Sequence, residues 1–166
     1  MTAATQVERS FTITRRLDAP RELVFQAWTD PDQLAQWFAG EMPSQGIATT
    51  VDLRVGGCWR LHMIEDENRS YMTGGIYHEI VPPEKLVFSF GAIDGWPQLD
   101  PSNLDDAPLV TITLDEMNGA TEMVLQVAFA DRLTDDRVRE WLATGMTEGW
   151  NITLDRLAPY LHGMVG

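Results

Sequence analysis

The chain has 166 residues, of which 44% are hydrophobic and 22% charged, and its formal net charge is −13 at pH 7. This length and mixture suit one compact domain with its own core, so we expect a single domain over 1–166 with a flexible N-terminus at 1–8. Nucleic-acid binders need a basic surface, and anionic membranes attract Lys and Arg. The acidic charge therefore disfavours nucleic acid as a partner.

Cysteine usage and hydropathy indicate a reduced, aqueous compartment. Cys58 is the only cysteine, so no disulfide can form within the chain, and we interpret it as an inert thiol. Residues 1–10 lack the basic flank and apolar stretch of a secretion signal, and apolar runs such as 123–130 are too short to cross a bilayer. We therefore expect a cytoplasmic protein without a membrane span.

The first part of the chain predicts a strand followed by two short helices. Residues 10–18 alternate apolar and polar side chains with the period of a half-buried strand. The runs 20–28 and 31–38 each begin with proline, which suits a helix start, and Asp30 can cap the second helix. Each run carries one apolar stripe, so both helices should pack on the core.

From residue 49 to 129 the hydrophobic period is two, which predicts an antiparallel meander of about six strands. Residues 91–108 interrupt this pattern and are rich in Asp, Pro and Gly. Such a long irregular stretch inside a compact domain is usually functional, and it could form a lid. The strand-like runs are 49–54, 58–64, 70–81, 85–90, 109–115 and 121–129.

The sequence ends in a helical pattern. Thr134 is a suitable N-cap, and apolar residues recur with helical spacing up to Leu161. We therefore predict one long amphipathic helix over Val138 to Leu161, packed on the concave face of the sheet. The element order, β, α, α, about six β, α, indicates an α+β fold.

Strand parity predicts which side chains of the first hairpin face the core. A three-residue turn at 55–57 would place Asp52 opposite Arg60 on the outer face, where opposite charges attract. The same turn leaves Trp59 and Leu61 facing inward.

The next hairpins follow from the same argument. If residues 65–68 form a turn, Trp59 lies opposite Gly74, which leaves room for the indole ring. Continuing the pairing places His78 near Phe88, so His78 should point inward among aromatic side chains.

The sequence contains no recognisable catalytic arrangement. In the predicted sheet His62 and His78 lie about 23 Å apart, too far to share a metal ion, and no phosphate loop or nucleophile elbow occurs. The acids at 100, 105 and 106 suit a solvated loop better than a metal site. We expect no metal and no cofactor. His78 could act as a general base or bind a ligand, or it could be an ordinary core or rim histidine.

Tryptophan and methionine give the more useful signal. The six tryptophans together with Met63, Met72 and Met146 could line an adaptable apolar volume, although ordinary core packing explains such residues as well. Gly145 and Gly149 lie one turn apart in the predicted helix, which indicates a close approach or a cavity beside it. The candidate pocket residues are Trp37, Trp59, Met63, Met72, His78, Phe88, Phe90, Trp96, Trp141, Gly145 and Trp150.

Four segments occur in an order and spacing that is quite specific for one family. They are 18–25 with 28–31 and Trp37, 52–57, 75–88, and 148–150 leading to Leu154, Leu157 and Leu161. With them the chain resembles the helix-grip, START-like (SRPBCC) superfamily, in the branch related to the activator of the ninety-kilodalton heat-shock protein ATPase. The resemblance implies a curved antiparallel sheet wrapped around a long C-terminal helix, with a cavity between them for a hydrophobic molecule.

The resemblance implies no particular reaction, so three functions stay open. The first is binding of a small hydrophobic or aromatic molecule. The second is a polyketide cyclase-like or dehydrase-like enzyme, whose pocket positions the substrate while a group such as His78 moves a proton. The third is a co-chaperone-like protein of the stress response, with a chaperone as its partner. A homodimer through exposed strand edges is a further open alternative.

Overall fold

The computed structural model describes residues 9–38, 49–66, 69–92, 107–143 and 146–165. Within these residues seven strands form one antiparallel sheet: β1 (Ser10–Leu17), β2 (Thr50–Val51), β3 (Cys58–Asp66), β4 (Arg69–Val81), β5 (Lys85–Ala92), β6 (Leu109–Met117) and β7 (Ala120–Ala128). The helices of the same residues are α1 (Arg21–Thr29), α2 (Pro31–Phe38), α3 (Asp135–Leu142), α4 (Met146–Asp155) and α5 (Leu157–Val165).

The strand order, β1-β7-β6-β5-β4-β3-β2, confirms the predicted α+β helix-grip fold. Strands β2 to β7 pair with their neighbours in sequence, and β1 closes the order by pairing with β7. In β6 and β7 every second side chain is buried, as at Ile112, Leu114, Met123 and Leu125. The core therefore lies on one face of a curved sheet, the face that the helices cover.

The helix caps agree with the sequence. The Asp30 carboxylate accepts hydrogen bonds from the backbone N–H groups of Asp32 at 2.9 Å and Gln33 at 3.2 Å, at the start of α2. The Thr134 hydroxyl accepts one from the Arg137 N–H at 3.1 Å, at the start of α3. A side-chain cap of this kind stabilises a helix by about 1 kcal/mol.

The C-terminal helical region, expected as one helix over Val138 to Leu161, is divided into α3, α4 and α5. Pro159 explains the break at Arg156, because proline has no N–H for the Asp155 carbonyl and its ring would clash with that carbonyl. The Arg156 N–H instead donates to the Thr153 carbonyl at 3.1 Å. The expected apolar ridge survives the breaks, with buried side chains at Val138, Trp141, Trp150, Leu154, Leu157 and Leu161.

The turn between β2 and β3 is longer than predicted. Trp59 pairs with Val51, so the turn spans residues 52–57. Part of its backbone bonds to β4 instead of to the hairpin, since the Gly56 N–H donates to the Tyr77 carbonyl at 2.9 Å. The turn residues thus satisfy backbone groups without extending β2.

This longer turn corrects the predicted charge pair but keeps the predicted faces. Asp52 does not lie opposite Arg60; its carboxylate accepts a hydrogen bond from Arg54 Nε at 2.8 Å within the turn. Trp59 and Leu61 are buried and Arg60 is exposed, as predicted.

A register shift in the β3–β4 pair corrects the second hairpin. The shift lies between Ile64 and Asp66, where the sequence analysis placed the start of a turn over 65–68, and Asp66 instead pairs with Arg69. One extra residue on one strand moves all later partners by one position. The pairing of Asp66 with Arg69 and the shift together place Trp59 opposite Gly75 and not opposite Gly74.

A second register shift, in the β4–β5 pair, reverses the predicted orientation of His78. Tyr77 pairs with Phe88 and Glu79 pairs with Val87, which leaves His78 as the extra residue. Tyr77 is consequently buried and His78 is exposed. The prediction that His78 points inward among aromatic side chains is wrong.

Candidate ligand-binding site

Eight aromatic side chains meet between the helices and strands β3, β4 and β5, and we call them the aromatic cluster. Contacting ring centroids are 4.8 to 6.3 Å apart, and many of the rings meet edge to face, which is the favoured geometry for aromatic pairs. The members are Trp28 of α1, Trp37 and Phe38 of α2, Trp59 of β3, Tyr77 of β4, Phe88 and Phe90 of β5, and Trp150 of α4.

Four of these rings contact one another in a closed circuit, which we call the aromatic circuit. The centroid distances are 5.4 Å from Phe38 to Trp59, 6.3 Å from Trp59 to Phe90, 4.9 Å from Phe90 to Trp150, and 5.7 Å from Trp150 to Phe38. Three of the four side chains are buried, whereas Phe90 is half-buried. The circuit therefore joins α2 and α4 to β3 and β5, and it reaches the protein surface at Phe90.

Gly75 makes the close packing of this region possible. A Cβ atom at this position would lie 2.6 Å from both the Ser89 carbonyl oxygen and Trp59 Nε1, and 2.8 Å from Phe88 Cδ2. Real side chains do not approach so closely, so only glycine fits beneath the indole ring. The sequence analysis assigned this packing role to Gly74, one residue away.

The cluster contains buried polar atoms that lack hydrogen-bond partners. Within the described part of the chain, no protein atom pairs with Nε1 of Trp28, Nε1 of Trp150 or the hydroxyl of Tyr77. Trp37 is different, because its Nε1–H donates to the Ala27 carbonyl at 2.8 Å. An unsatisfied buried polar group costs about 1 to 3 kcal/mol. The cluster is therefore mainly apolar, but it contains polar atoms that a hydrogen-bond partner would stabilise.

Tyr77 has a perturbed acidity as well. Burial, together with smaller contributions from Cys58 and Asp52, raises the pKa of the Tyr77 phenol well above its ordinary value. Its hydroxyl is therefore neutral over the physiological pH range and could donate or accept a hydrogen bond.

The structure brings together five of the predicted pocket residues and leaves the others elsewhere or undescribed. Trp37, Trp59, Phe88, Phe90 and Trp150 all belong to the aromatic cluster. Trp96 and Gly145 lie outside the described residues, as does most of the candidate lid, and so do the side chains of Met63 and Met72. The pocket-lining role of these residues stays a prediction.

Trp141 is buried in α3, where the guanidinium carbon of Arg137 lies 5.3 Å from its ring centroid. His78 is exposed, and its Nε2 hydrogen-bonds the hydroxyl of Ser89. Gly149 is exposed, and a Cβ atom there would meet no atom within 4 Å. Among the described residues nothing approaches Gly149 closely, so the close approach that the sequence analysis considered is not found there.

Three members of the cluster were not among the predicted pocket residues. Trp28 and Phe38 lie on the apolar stripes of α1 and α2, so the sequence identified them as core residues without locating them beside the sheet. The sequence analysis turned His78 inward, and in a regular strand its neighbour Tyr77 then faces outward. The pairing of Trp59 with Gly75 and the shift at His78 together turn Tyr77 inward.

The residues that the structure describes contain no group of three or more His, Cys, Asp or Glu side chains that could hold a metal ion. None of the helices that the structure describes is both long and apolar enough to span a membrane.

The match to a known family decides where the chain belongs. The family model described as Activator of Hsp90 ATPase homolog 1-like protein matches residues 18–162. The chain belongs to this family. Its membership confirms the predicted branch of the START-like (SRPBCC) superfamily. A search of the curated proteins finds no match to this family member.

Solved structures share the fold of this family member. A protein from Rhizobium leguminosarum is 27% identical with a TM-score of 0.65, and the match covers 92% of this chain and 93% of the other. A protein from Rhizobium loti is 25% identical with a TM-score of 0.66, covering 92% and 96%. A protein from Arthrobacter aurescens is 21% identical with a TM-score of 0.75, covering 97% and 93%, and shows the likeness of fold alone.

Proposed function

We propose that this family member binds a small, largely apolar aromatic molecule within the aromatic cluster. The observation that carries the proposal is the aromatic circuit of Phe38, Trp59, Phe90 and Trp150, which joins two helices to two strands and reaches the surface at Phe90. Aromatic walls with few polar groups are the usual lining of small-molecule sites, and a flat ligand can stack between such rings.

The ligand would have to displace side chains in order to enter. The ring centroids lie 4.9 to 6.3 Å apart around the circuit, so the four rings contact one another directly. Phe90 is the half-buried member and stacks on Trp59 with an angle of 27° between the ring planes. An aromatic guest that took the place of Phe90 beside Trp59 would preserve the stacking that the displaced side chain gives up.

The lack of buried Asp, Glu, Lys and Arg side chains among the described residues supports a neutral ligand. The buried polar side chains there are those of His62, Thr73, Ser89, Thr121 and Thr153, and none is Asp, Glu, Lys or Arg. Burying an ion without a partner of opposite charge is costly. A neutral aromatic molecule therefore fits this interior better than an ionic one.

The second candidate is a cyclase-like or dehydrase-like enzyme, and one observation favours it. Tyr77 presents a neutral, buried hydroxyl without a partner in the described part of the chain, and such a group could donate a hydrogen bond to a carbonyl oxygen that gains negative charge during the reaction. Tyr77 would stabilise the reacting oxygen, whereas the sequence analysis considered His78 as the group that moves a proton. Turnover of aromatic polyketide precursors by wild type, and at least a hundredfold less by Tyr77→Phe, would support it.

A ligand titration tests the binding proposal. Naphthalene and indole would be titrated into the protein while its intrinsic tryptophan fluorescence is recorded, and native mass spectrometry would identify any molecule that copurifies. We expect a saturable spectral shift, because Trp59 and Trp150 belong to the aromatic circuit. No shift with any of a broad panel of aromatic and acyl compounds would contradict the proposal and favour the co-chaperone alternative.

A matched pair of variants locates the site. Phe90→Leu removes one side chain of the aromatic circuit, whereas Phe129→Leu makes the same change at a buried position after β7. Because the guest takes the place of Phe90, loss of the Phe90–Trp59 stacking that it must displace should lower the dissociation constant about three- to tenfold in Phe90→Leu. Phe129→Leu should bind as wild type does. Equal effects of the two substitutions would place the site elsewhere.

A further inference from the structure

Two neighbouring indole groups of the aromatic cluster hold unused hydrogen-bond donors. Trp28 and Trp150 have ring centroids 6.3 Å apart, with their planes inclined by 35°. Both rings also contact Phe38, at 6.3 Å and 5.7 Å. Neither Nε1–H finds an acceptor among the described residues, although both side chains are 3% exposed. Native proteins pair the large majority of buried polar groups, so two such donors on adjoining rings call for an explanation.

The third indole of the group shows that the fold can provide an acceptor. Trp37 lies 4.8 Å from Trp28, centroid to centroid, and its N–H donates to the Ala27 carbonyl at 2.8 Å. The Trp37 donor thus has an acceptor, whereas those of Trp28 and Trp150 have none in the part of the chain that the structure describes. The unused donors cannot be attributed to a general shortage of carbonyl groups near the helices.

The chemistry of an indole N–H restricts what could pair with it. It only donates, so its partner must be an acceptor. An anionic acceptor would enter an interior where no buried Arg or Lys occurs among the described residues, and an uncompensated anion there is unfavourable. A carbonyl oxygen is neutral, and its two lone pairs can accept from two donors at once.

We propose that the indole N–H groups of Trp28 and Trp150 recognise a carbonyl oxygen of a neutral aromatic ketone, aldehyde or quinone. This inference rests on the proposed function and narrows its ligand class. Each Nε1 atom would lie about 2.9 Å from the shared oxygen, which requires the two nitrogens to lie within about 5.8 Å of each other in the complex. The carbonyl satisfies both donors, whereas a hydrocarbon of the same shape satisfies neither.

A matched pair of ligands tests the inference without any substitution. Indane and 1-indanone share one bicyclic skeleton and differ by a carbonyl group. With ¹⁵N-labelled protein, the indole N–H resonances of Trp28 and Trp150 should move downfield on saturation with 1-indanone and not with indane. The Trp37 resonance should stay in place, because its N–H already has an acceptor.

Three variants measure the same preference by calorimetry. The ratio of the two dissociation constants cancels changes that affect both ligands equally. The preference for 1-indanone should fall about fivefold in Trp28→Phe and in Trp150→Phe, the usual effect of one lost hydrogen bond. It should be unchanged in Trp141→Phe, the control that removes an indole of α3 outside the aromatic cluster. Circular dichroism of each variant establishes that it is folded.

The outcomes separate the two proposals. Binding of both ligands with no downfield shift and no change of preference in the variants would overturn the carbonyl inference and leave the proposed function standing. A failure of both ligands to bind at millimolar concentration would overturn the carbonyl inference, and the failure of the wider aromatic panel would overturn the proposed function as well.

Discussion

The two halves of the sheet bury different kinds of side chain. The half formed by β1, β7 and β6, which we call the aliphatic half, is lined mainly by aliphatic residues, among them Leu17, Ile112 and Leu125. The half formed by β5, β4 and β3, the aromatic half, contributes Trp59, Tyr77, Phe88 and Phe90 to the aromatic cluster. One curved sheet thus supports two cores of different chemistry.

The polar groups of the two halves also differ. Arg15 lies among the apolar positions of β1, and its guanidinium donates to the Asn151 side chain at 2.8 Å and to Asp155 at 3.3 Å, both on α4. The aromatic cluster instead contains three buried polar atoms without partners in the described residues, on Trp28, Tyr77 and Trp150. We infer that the aliphatic half serves mainly stability, while the aromatic half gives up some stability for binding.

The largest expected effect tests the stabilising role of the aliphatic half. Leu125 is fully buried in β7, so Leu125→Ala should lower the free energy of unfolding by about 2 to 5 kcal/mol in urea titrations. The exposed neighbour provides the control, because Gln126→Ala should change stability by less than about 0.5 kcal/mol. A loss near zero at Leu125 would show that this half is loosely packed.

A smaller effect tests the close packing of the aromatic half. Gly75→Ala places a Cβ atom 2.6 Å from the Ser89 carbonyl oxygen, and backbone atoms cannot yield as side chains do. We expect a loss of about 1 to 3 kcal/mol in the free energy of unfolding. Gly149→Ala, where a Cβ meets nothing within 4 Å, should stabilise α4 by up to about 1 kcal/mol. Equal signs for the two substitutions would contradict the packing role of Gly75.

Alkaline pH probes the buried phenol. The folded state raises the pKa of Tyr77, mainly through burial, so the stability linked to its neutral form is complete below pH 10 and is lost as the pH rises further. Above the ordinary tyrosine pKa of about 10, wild type should lose about 1.4 kcal/mol per pH unit more than Tyr77→Phe. Denaturation curves at pH 9, 10 and 11 check this. Parallel pH profiles would show that Tyr77 ionises while the protein is folded.

The smallest expected effect concerns the same hydroxyl at neutral pH. Tyr77→Phe removes a buried polar atom that has no partner in the described part of the chain, so unfolding should become up to about 1 kcal/mol less favourable or stay unchanged. Thermal unfolding at pH 7 measures this. A clear loss of stability would show that the hydroxyl has a partner in the folded protein.

The local features of the fold were predictable because they depend on short stretches of sequence. Period-two patterns gave the strands, proline at the start of two runs gave the first helices, and the caps at Asp30 and Thr134 are local interactions. Pro159 was also readable as a helix breaker, since its missing N–H is a property of the residue itself.

The inward-facing residues of β4 were harder to predict because they depend on pairing between strands. Each register shift adds one residue to one strand, and the hydrophobic period alone does not reveal it. The two shifts place Tyr77, and not His78, on the core face. Contacts of Trp28 and Phe38 with Trp150 arise only when helices far apart in sequence pack together.

Nuclear Overhauser contacts between bound indane and the protein test the central claim most directly, because they report which half of the core the ligand touches. We expect contacts with the ring protons of Trp59, Phe90 and Trp150. Contacts confined to methyl groups of the aliphatic half, such as those of Ile112 and Leu125, would contradict the assignment of binding to the aromatic half.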